Sequence, residues 1–155
     1  MMKALTLSAA ALLALGATPS FAEGDAEAGE GLWRSCRSCH AITDADGTTI
    51  QRGGRTGPNL YGLPGRAVAS QEGFRYSAPL LEFAATEEGA VWTEELFVEY
   101  VADPTAFLRS HLGESGARSG MSFRMTSGAE DMWAYLASVS PDVADDATES
   151  HEADE

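Results

Sequence analysis

Two cysteines one helical turn apart, with a histidine directly after the second, constrain this chain more than any other feature: Cys36-Arg37-Ser38-Cys39-His40. This is the C-x-x-C-H pattern of covalent c-type haem attachment. Each thiol adds to one vinyl group of the porphyrin, so both sulfurs must face the same ring edge. The adjacent imidazole can then swing beneath the iron as proximal ligand.

Other uses of the pair fit less well. These are the only two cysteines in the chain, and a closed structural zinc site needs four ligands, for which no second C-x-x-C or paired-histidine element is present. A redox dithiol belongs at a helix N-terminus within a βαβ pattern, whereas this motif closes a glycine-interrupted helical segment.

The start of the chain agrees with haem attachment outside the cytoplasm. Met1-Met2-Lys3 is a short basic opening, Ala4 to Ala17 is an apolar run rich in small residues, and Ser20-Phe21-Ala22 fits a small-x-small cleavage site. Residues 1–22 are therefore expected to be a removed export signal, too short and too alanine-rich for a membrane span. Residues 23–140 make one domain of modest core. Residues 141–155 are mostly Asp, Glu, Ala and Ser, with almost no apolar residue of any size, and are expected to be disordered.

Four helices can be placed, which makes the chain all-α. The first runs from about Asp25 to Arg37, with acids in its first turn, and delivers Cys36. The second starts near Ser77-Ala78-Pro79 and continues through Leu80, Leu81 and Phe83. The third opens at Thr93 with Glu94 and Glu95, presents Leu96, Phe97, Tyr100 and Val101, and stops at Asp103-Pro104. The last opens at Ser127-Gly128-Ala129-Glu130, a capping-box pattern, and carries Met132, Trp133, Leu136 and Val139 to Ser140-Pro141. Between the first two, residues 43–73 are rich in Gly, Thr and Arg and read as a long loop that needs something to wrap around. No segment alternates convincingly as a strand.

This order of elements resembles the class I cytochromes c, and within them the bacterial cytochrome c2 group. The resemblance spans roughly residues 23–140. It rests on Gly24, Asp25 and Gly29 before the haem motif, then Thr56-Gly57-Pro58-Asn59-Leu60-Tyr61-Gly62-Leu63, Gly65-Arg66 and Gly73-Phe74-Arg75-Tyr76. Trp92 with Tyr100, Asp103-Pro104-Thr105 and Met121-Ser122-Phe123 complete the set. Each piece alone is weak, but the ordered set is specific.

The resemblance implies a class I cytochrome c fold, with about four helices and long loops around one covalently bound haem c. The sixth iron ligand is then a thioether, which raises the reduction potential relative to a second imidazole. Met132 lies on the last helix's apolar stripe, where core packing explains it. Met121, in the irregular segment Ser119-Gly120-Met121-Ser122-Phe123, matches the family's ligand position and is favoured over Met125. Pro58 matches the residue whose carbonyl accepts from the proximal His40 and so fixes its tautomer. Arg66, Tyr76 and Trp92 match positions that pair a buried haem propionate, costly if left alone. Tyr100 matches a tyrosine beside the methionine sulfur, although core packing would also explain it. Gly29 matches a close crossing of the first and last helices, near Trp33 and Tyr135. His111 and His151 are expected to be solvated.

With both iron positions filled by protein, the expected chemistry is one-electron transfer rather than enzymic turnover. No Ser/His/Asp set, phosphate loop or second metal motif competes. The expectation is a monomeric periplasmic carrier, not membrane-embedded and with no nucleic-acid partner. Its donor would be a quinol-oxidising complex of the quinol–cytochrome c reductase type, and its acceptor a reaction centre or terminal oxidase. A dedicated acceptor for one periplasmic dehydrogenase, or a peroxidase-type haem site, are the other readings.

Charge departs from the family pattern. The single lysine is Lys3, inside the expected leader, which leaves nine arginines against 24 acids. Residues 31–76 hold six Arg and three acids, and residues 104–125 hold three Arg and one acid, while the rest of the chain past Lys3 has no basic residue but His151. The positive segments are thus the two that carry the haem ligands. Arg34, Arg37, Arg118 and Arg124 are candidates for docking. An acidic body that simply keeps the protein soluble is the alternative.

Overall fold

The computed structural model describes residues 24–140; the expected leader and acidic tail lie outside the described residues. Helix α1 spans Ala26–Leu32, and a 3-10 turn at Trp33–Ser35 leads into the motif. Strands β1 (Ile42–Thr43) and β2 (Thr49–Gln51) follow, then α2 (Ala78–Ala84), α3 (Glu94–Ala102), α4 (Pro104–Leu112) and α5 (Ala129–Ser138). No helix among the described residues is long and apolar enough to cross a membrane.

Helix α1 packs across α5, α3 also lies on α5, and α2 rests against α4. Asp25 starts α1: its carboxylate accepts from the Glu27 and Ala28 amides, while its own N–H donates to the Asp131 carboxylate 2.8 Å away on α5. The α1–α5 crossing requires glycine. A Cβ on Gly29 would sit 2.0 Å from the Asp131 carbonyl oxygen and 2.7 Å from Tyr135 Cβ, and one on Gly24 would sit 2.1 Å from the Glu130 carbonyl oxygen. Ile42, Phe83, Leu108, Met132 and Leu136 are fully buried in the single core that results.

Four sequence expectations are corrected. The first helix does not run smoothly to Arg37, because it tightens at Trp33 into a 3-10 turn that ends on Cys36. The 43–73 loop region is not wholly irregular. Ile42 pairs with Gln51 and Thr43 with Thr49 across a bulge, in an antiparallel hairpin too short to show strand alternation. Asp103-Pro104 does end α3, but it also begins another helix: the Asp103 carboxylate accepts from the Ala106 amide at 2.9 Å, and Pro104 occupies the first turn. Finally, Ser127 makes no capping bond to α5. Gly128, at φ 75°, is the residue that enters the helix.

Candidate functional site

The Cys36–His40 turn is held by the chain that returns over it. Gly54 N–H donates to the Arg37 carbonyl at 2.8 Å, Gly57 N–H to the Cys39 carbonyl at 2.8 Å, and Leu60 N–H to the Ala41 carbonyl at 3.1 Å. Asn59 fastens the same layer through its side chain, accepting from the Thr43 and Tyr61 amides and donating to the Thr43 carbonyl at 2.7 Å. Such close passage needs glycine. A Cβ on Gly53 would lie 1.6 Å from the His40 carbonyl oxygen, and one on Gly57 would lie 2.3 Å from Cε1 of the His40 ring.

That packing fixes the imidazole. The Nδ1 of His40 is 2.8 Å from the Pro58 carbonyl oxygen, which can only accept, so Nδ1 carries the proton and Nε2 keeps its lone pair. Burial holds His40 below the ordinary imidazole pKa, opposed in part by the Pro58 bond. Cys36 and Cys39 are both free thiols. Burial, then the neighbouring Cys39, pushes Cys36 up to about 11, whereas hydrogen bonds from Thr56 and Ser38 lower Cys39. The pair stands at the C-terminal end of its 3-10 turn, the opposite of the helix start that activates a redox dithiol.

One cleft of about 320 Å³ gathers the residues expected from sequence to hold the haem and its iron: Cys36, Cys39, His40, Pro58, Arg66, Tyr76, Trp92, Tyr100 and Met121 all line it, while the docking candidates Arg34, Arg37, Arg118 and Arg124 do not. Met125 and Met132 line it too, both buried, so thioether chemistry alone does not separate the three. Met132 belongs to α5, whereas Met121 and Met125 both sit in irregular chain. Met125 donates its N–H to the Val101 carbonyl at 2.7 Å, and Met121 donates its N–H to the Ser119 hydroxyl at 3.0 Å. Tyr100 is 2.9 Å from that same hydroxyl and packs edge-on against Trp92. Phe123, partly exposed, also contributes to the lining.

The far wall is polar. Arg66 donates to the Tyr61 and Asn59 carbonyls at 3.0 Å each, and burial lowers its pKa. Tyr76 accepts from the Gln71 amide at 3.2 Å. Two buried atoms on this lining have no partner, Arg66 Nε and Ser77 Oγ. Ser77 was missed from sequence, where it read only as the start of α2; its hydroxyl makes no capping bond to that helix.

His111 corrects the expectation of a solvated side chain. It lies within α4, 13% exposed, with Nδ1 3.0 Å from Glu88 and Nε2 3.1 Å from Glu99.

No family model matches the chain. It is 51% identical to cytochrome c-551 of Roseobacter denitrificans over 135 residues, covering 87% of this chain and 95% of that one. It is 45% identical to cytochrome c2 of Rhodobacter capsulatus over 136 residues, 87% of this chain and 97% of the relative. Among solved structures, ferric cytochrome c-550 of Paracoccus versutus superposes with a TM-score of 0.74 at 44% identity, covering 77% of this chain and all of that one.

Proposed function

The chain belongs to the class I cytochromes c, in their bacterial c2 and c-550 group, and on that premise we propose that it is a periplasmic one-electron carrier using one covalently bound haem c. The observation that carries the reading is the convergence, in one cleft, of two free thiols, an imidazole with only Nε2 uncommitted, and a thioether on irregular chain.

The cleft's own chemistry fits that group. Its polar wall leaves a buried guanidinium nitrogen and a buried hydroxyl without partners, and an unpaired buried donor is costly unless an acceptor arrives. A propionate there would accept from both. Arg66, Tyr76, Ser77 and Trp92 all line the cleft. When bound, the haem supplies a ferric/ferrous couple that gains or loses one electron.

The protein's residues do the rest. Cys36 and Cys39 would hold the haem as thioethers. His40 would offer Nε2 to the iron, and Pro58 keeps its other nitrogen protonated and the ring oriented, which would make it a better donor. Met121 would offer its sulfur, its segment held through its amide by Ser119 and through Ser119 by Tyr100. An iron held by both side chains would exchange electrons rather than bind a substrate, which suits a carrier rather than an enzyme. Residues 1–22 support export. The arginine-bearing segments around the cleft support transient docking to acidic surfaces of membrane redox complexes.

A visible spectrum with a redox titration tests this. The ferric holoprotein should be six-coordinate and low-spin, with a red methionine-to-iron charge-transfer band. That band should disappear in Met121→Ala and persist in Met125→Ala. A high-spin spectrum, or ready binding of cyanide and peroxide, would favour an enzymic site and overturn the reading.

A further inference from the structure

We propose that protonated His111 is a positioning residue for Met121: bridging Glu88 and Glu99, it clamps α4, and α4 in turn holds the segment that carries the axial thioether. The inference rests on the reading of Met121 as the iron ligand.

The clamp is visible in the hydrogen bonding. Each ring nitrogen of His111 faces a carboxylate oxygen, one from Glu88 in the segment between α2 and α3, the other from Glu99 on α3. Carboxylates in this state only accept, so both nitrogens must donate, and only the imidazolium does so. The ring also lies against two apolar neighbours, Phe107 at 4.1 Å between centroids and Phe83 at 5.3 Å. Aromatic faces favour a cation further.

Among the described residues, Glu88 and Glu99 are the charged groups that act on the ring. Segment 86–91 contributes Glu88, α3 contributes Glu99, and α2 contributes the uncharged Phe83. On its own helix, Arg109 is engaged with another partner, its Nε donating to the Ala117 carbonyl at 3.1 Å. Burial pushes the His111 pKa down, but the bonds to Glu88 and Glu99 outweigh it and hold the pKa above the ordinary imidazole value.

Helix α4 then reaches the methionine segment twice. Arg109 holds Ala117, and the Thr105 hydroxyl accepts from the Ser119 amide at 3.2 Å. Ser119 in turn accepts from the Met121 amide. A second route runs through side chains: His111 on Phe107, Phe107 edge-on to Tyr100 at 5.4 Å, and Tyr100 to the Ser119 hydroxyl. Loss of the proton removes one of the two donors and leaves a lone pair facing a carboxylate. Because the folded pKa is raised, the clamp is complete below an unfolded value of about 6.5 and is lost as pH rises through the folded value.

The test follows the methionine-to-iron band and the far-ultraviolet helix signal of the ferric holoprotein through urea, at about pH 6 and about pH 9, in the native chain, His111→Gln and His111→Arg. At the lower pH, His111→Gln should release Met121 about three- to tenfold more readily than the native chain, given that both acids are largely exposed. At the higher pH that difference should vanish. His111→Arg, cationic throughout, should hold the band as firmly at the higher pH as at the lower. An equal deficit of His111→Gln at both pH values would reduce His111 to packing and overturn the proposal, as would helix loss shifted as far as band loss. A band that survives Met121→Ala would instead show that the ligand reading has failed.

Discussion

The Nδ1 of His40 is 2.8 Å from the carbonyl oxygen of Pro58, and the residue just before that proline is the glycine on which the ring rests. Gly57 has no unusual φ, so its constraint is one of space: a methyl there would sit 2.3 Å from Cε1 and 2.6 Å from Nδ1 of His40. Gly57→Ala must push the imidazole off the Pro58 carbonyl or lift the loop. Overpacking of this kind costs about 1–3 kcal/mol. The ferric holoprotein of this variant should gain a high-spin fraction and lose urea resistance, and an unaltered low-spin spectrum would contradict the argument.

Two glycines of α1 should respond with opposite signs. A Cβ on Gly29 collides with the backbone of α5, whereas one on Gly31 meets nothing within 4 Å. Gly29→Ala therefore has to separate α1 from α5 and should lower the thermal midpoint. Gly31→Ala removes only the entropy cost of a helical glycine and should stabilise by about 0.4–1 kcal/mol. Thermal unfolding of the two holoproteins side by side reads both signs.

These contrasts indicate which parts of the site were legible in the sequence. Much of the lining of the cleft was, because Cys36, Cys39 and His40 are fixed by local spacing, and the ordered set from Gly57 to Met121 supplied further residues that face it. Ser77 was not, since one hydroxyl at a helix start looks like a cap until its hydrogen bond is found missing. Helix α4 was overlooked because Asp103-Pro104 is both a stop and a start, although the Asp cap, the following Pro and Gly113 at φ 67° after Leu112 were all readable signals. His111 could not have been placed. Its partners lie 12 and 23 residues away in sequence, and only the packing of α3, α4 and the intervening segment brings them together.

Asp103 gives the molecule an acid-side weakness. The Ala106 amide first, with Arg124 among the further causes, holds its carboxyl below the usual 3.8, and Arg124 Nε lies 2.9 Å from its Oδ2. A depressed folded pKa means that the cap's contribution is whole above about 3.8 and is lost as pH falls through the folded value. The Ala106 amide resonance should titrate in that window. In Asp103→Asn, which keeps an acceptor for the cap but has no proton to gain, the titration should be absent.

The charge map makes a prediction in which net charge and local charge disagree. The chain as a whole carries −14, which would repel an anionic redox reagent. Around the cleft the balance differs: Arg75 is exposed and lines it, Arg34 and Arg37 are exposed on either side of Cys36, and Arg118 is exposed in an adjoining depression that shares Met121 and Ser122. Arg124 lines that depression as well, but its pairing with Asp103 makes it the least available of the four docking candidates. Screening decides which charge a reagent feels. At about 0.1 M salt the Debye length is about 10 Å, short enough to hide the acidic body but not the arginines beside the cleft. Oxidation of the ferrous holoprotein by hexacyanoferrate(III) should therefore slow as salt rises above that point, the sign of attraction. Arg37→Glu combined with Arg118→Glu should reverse the slope, and Arg124→Glu should change it least. A rate that rises with salt in the native chain would mean that the acidic body governs approach, and the arginines would then have no steering role.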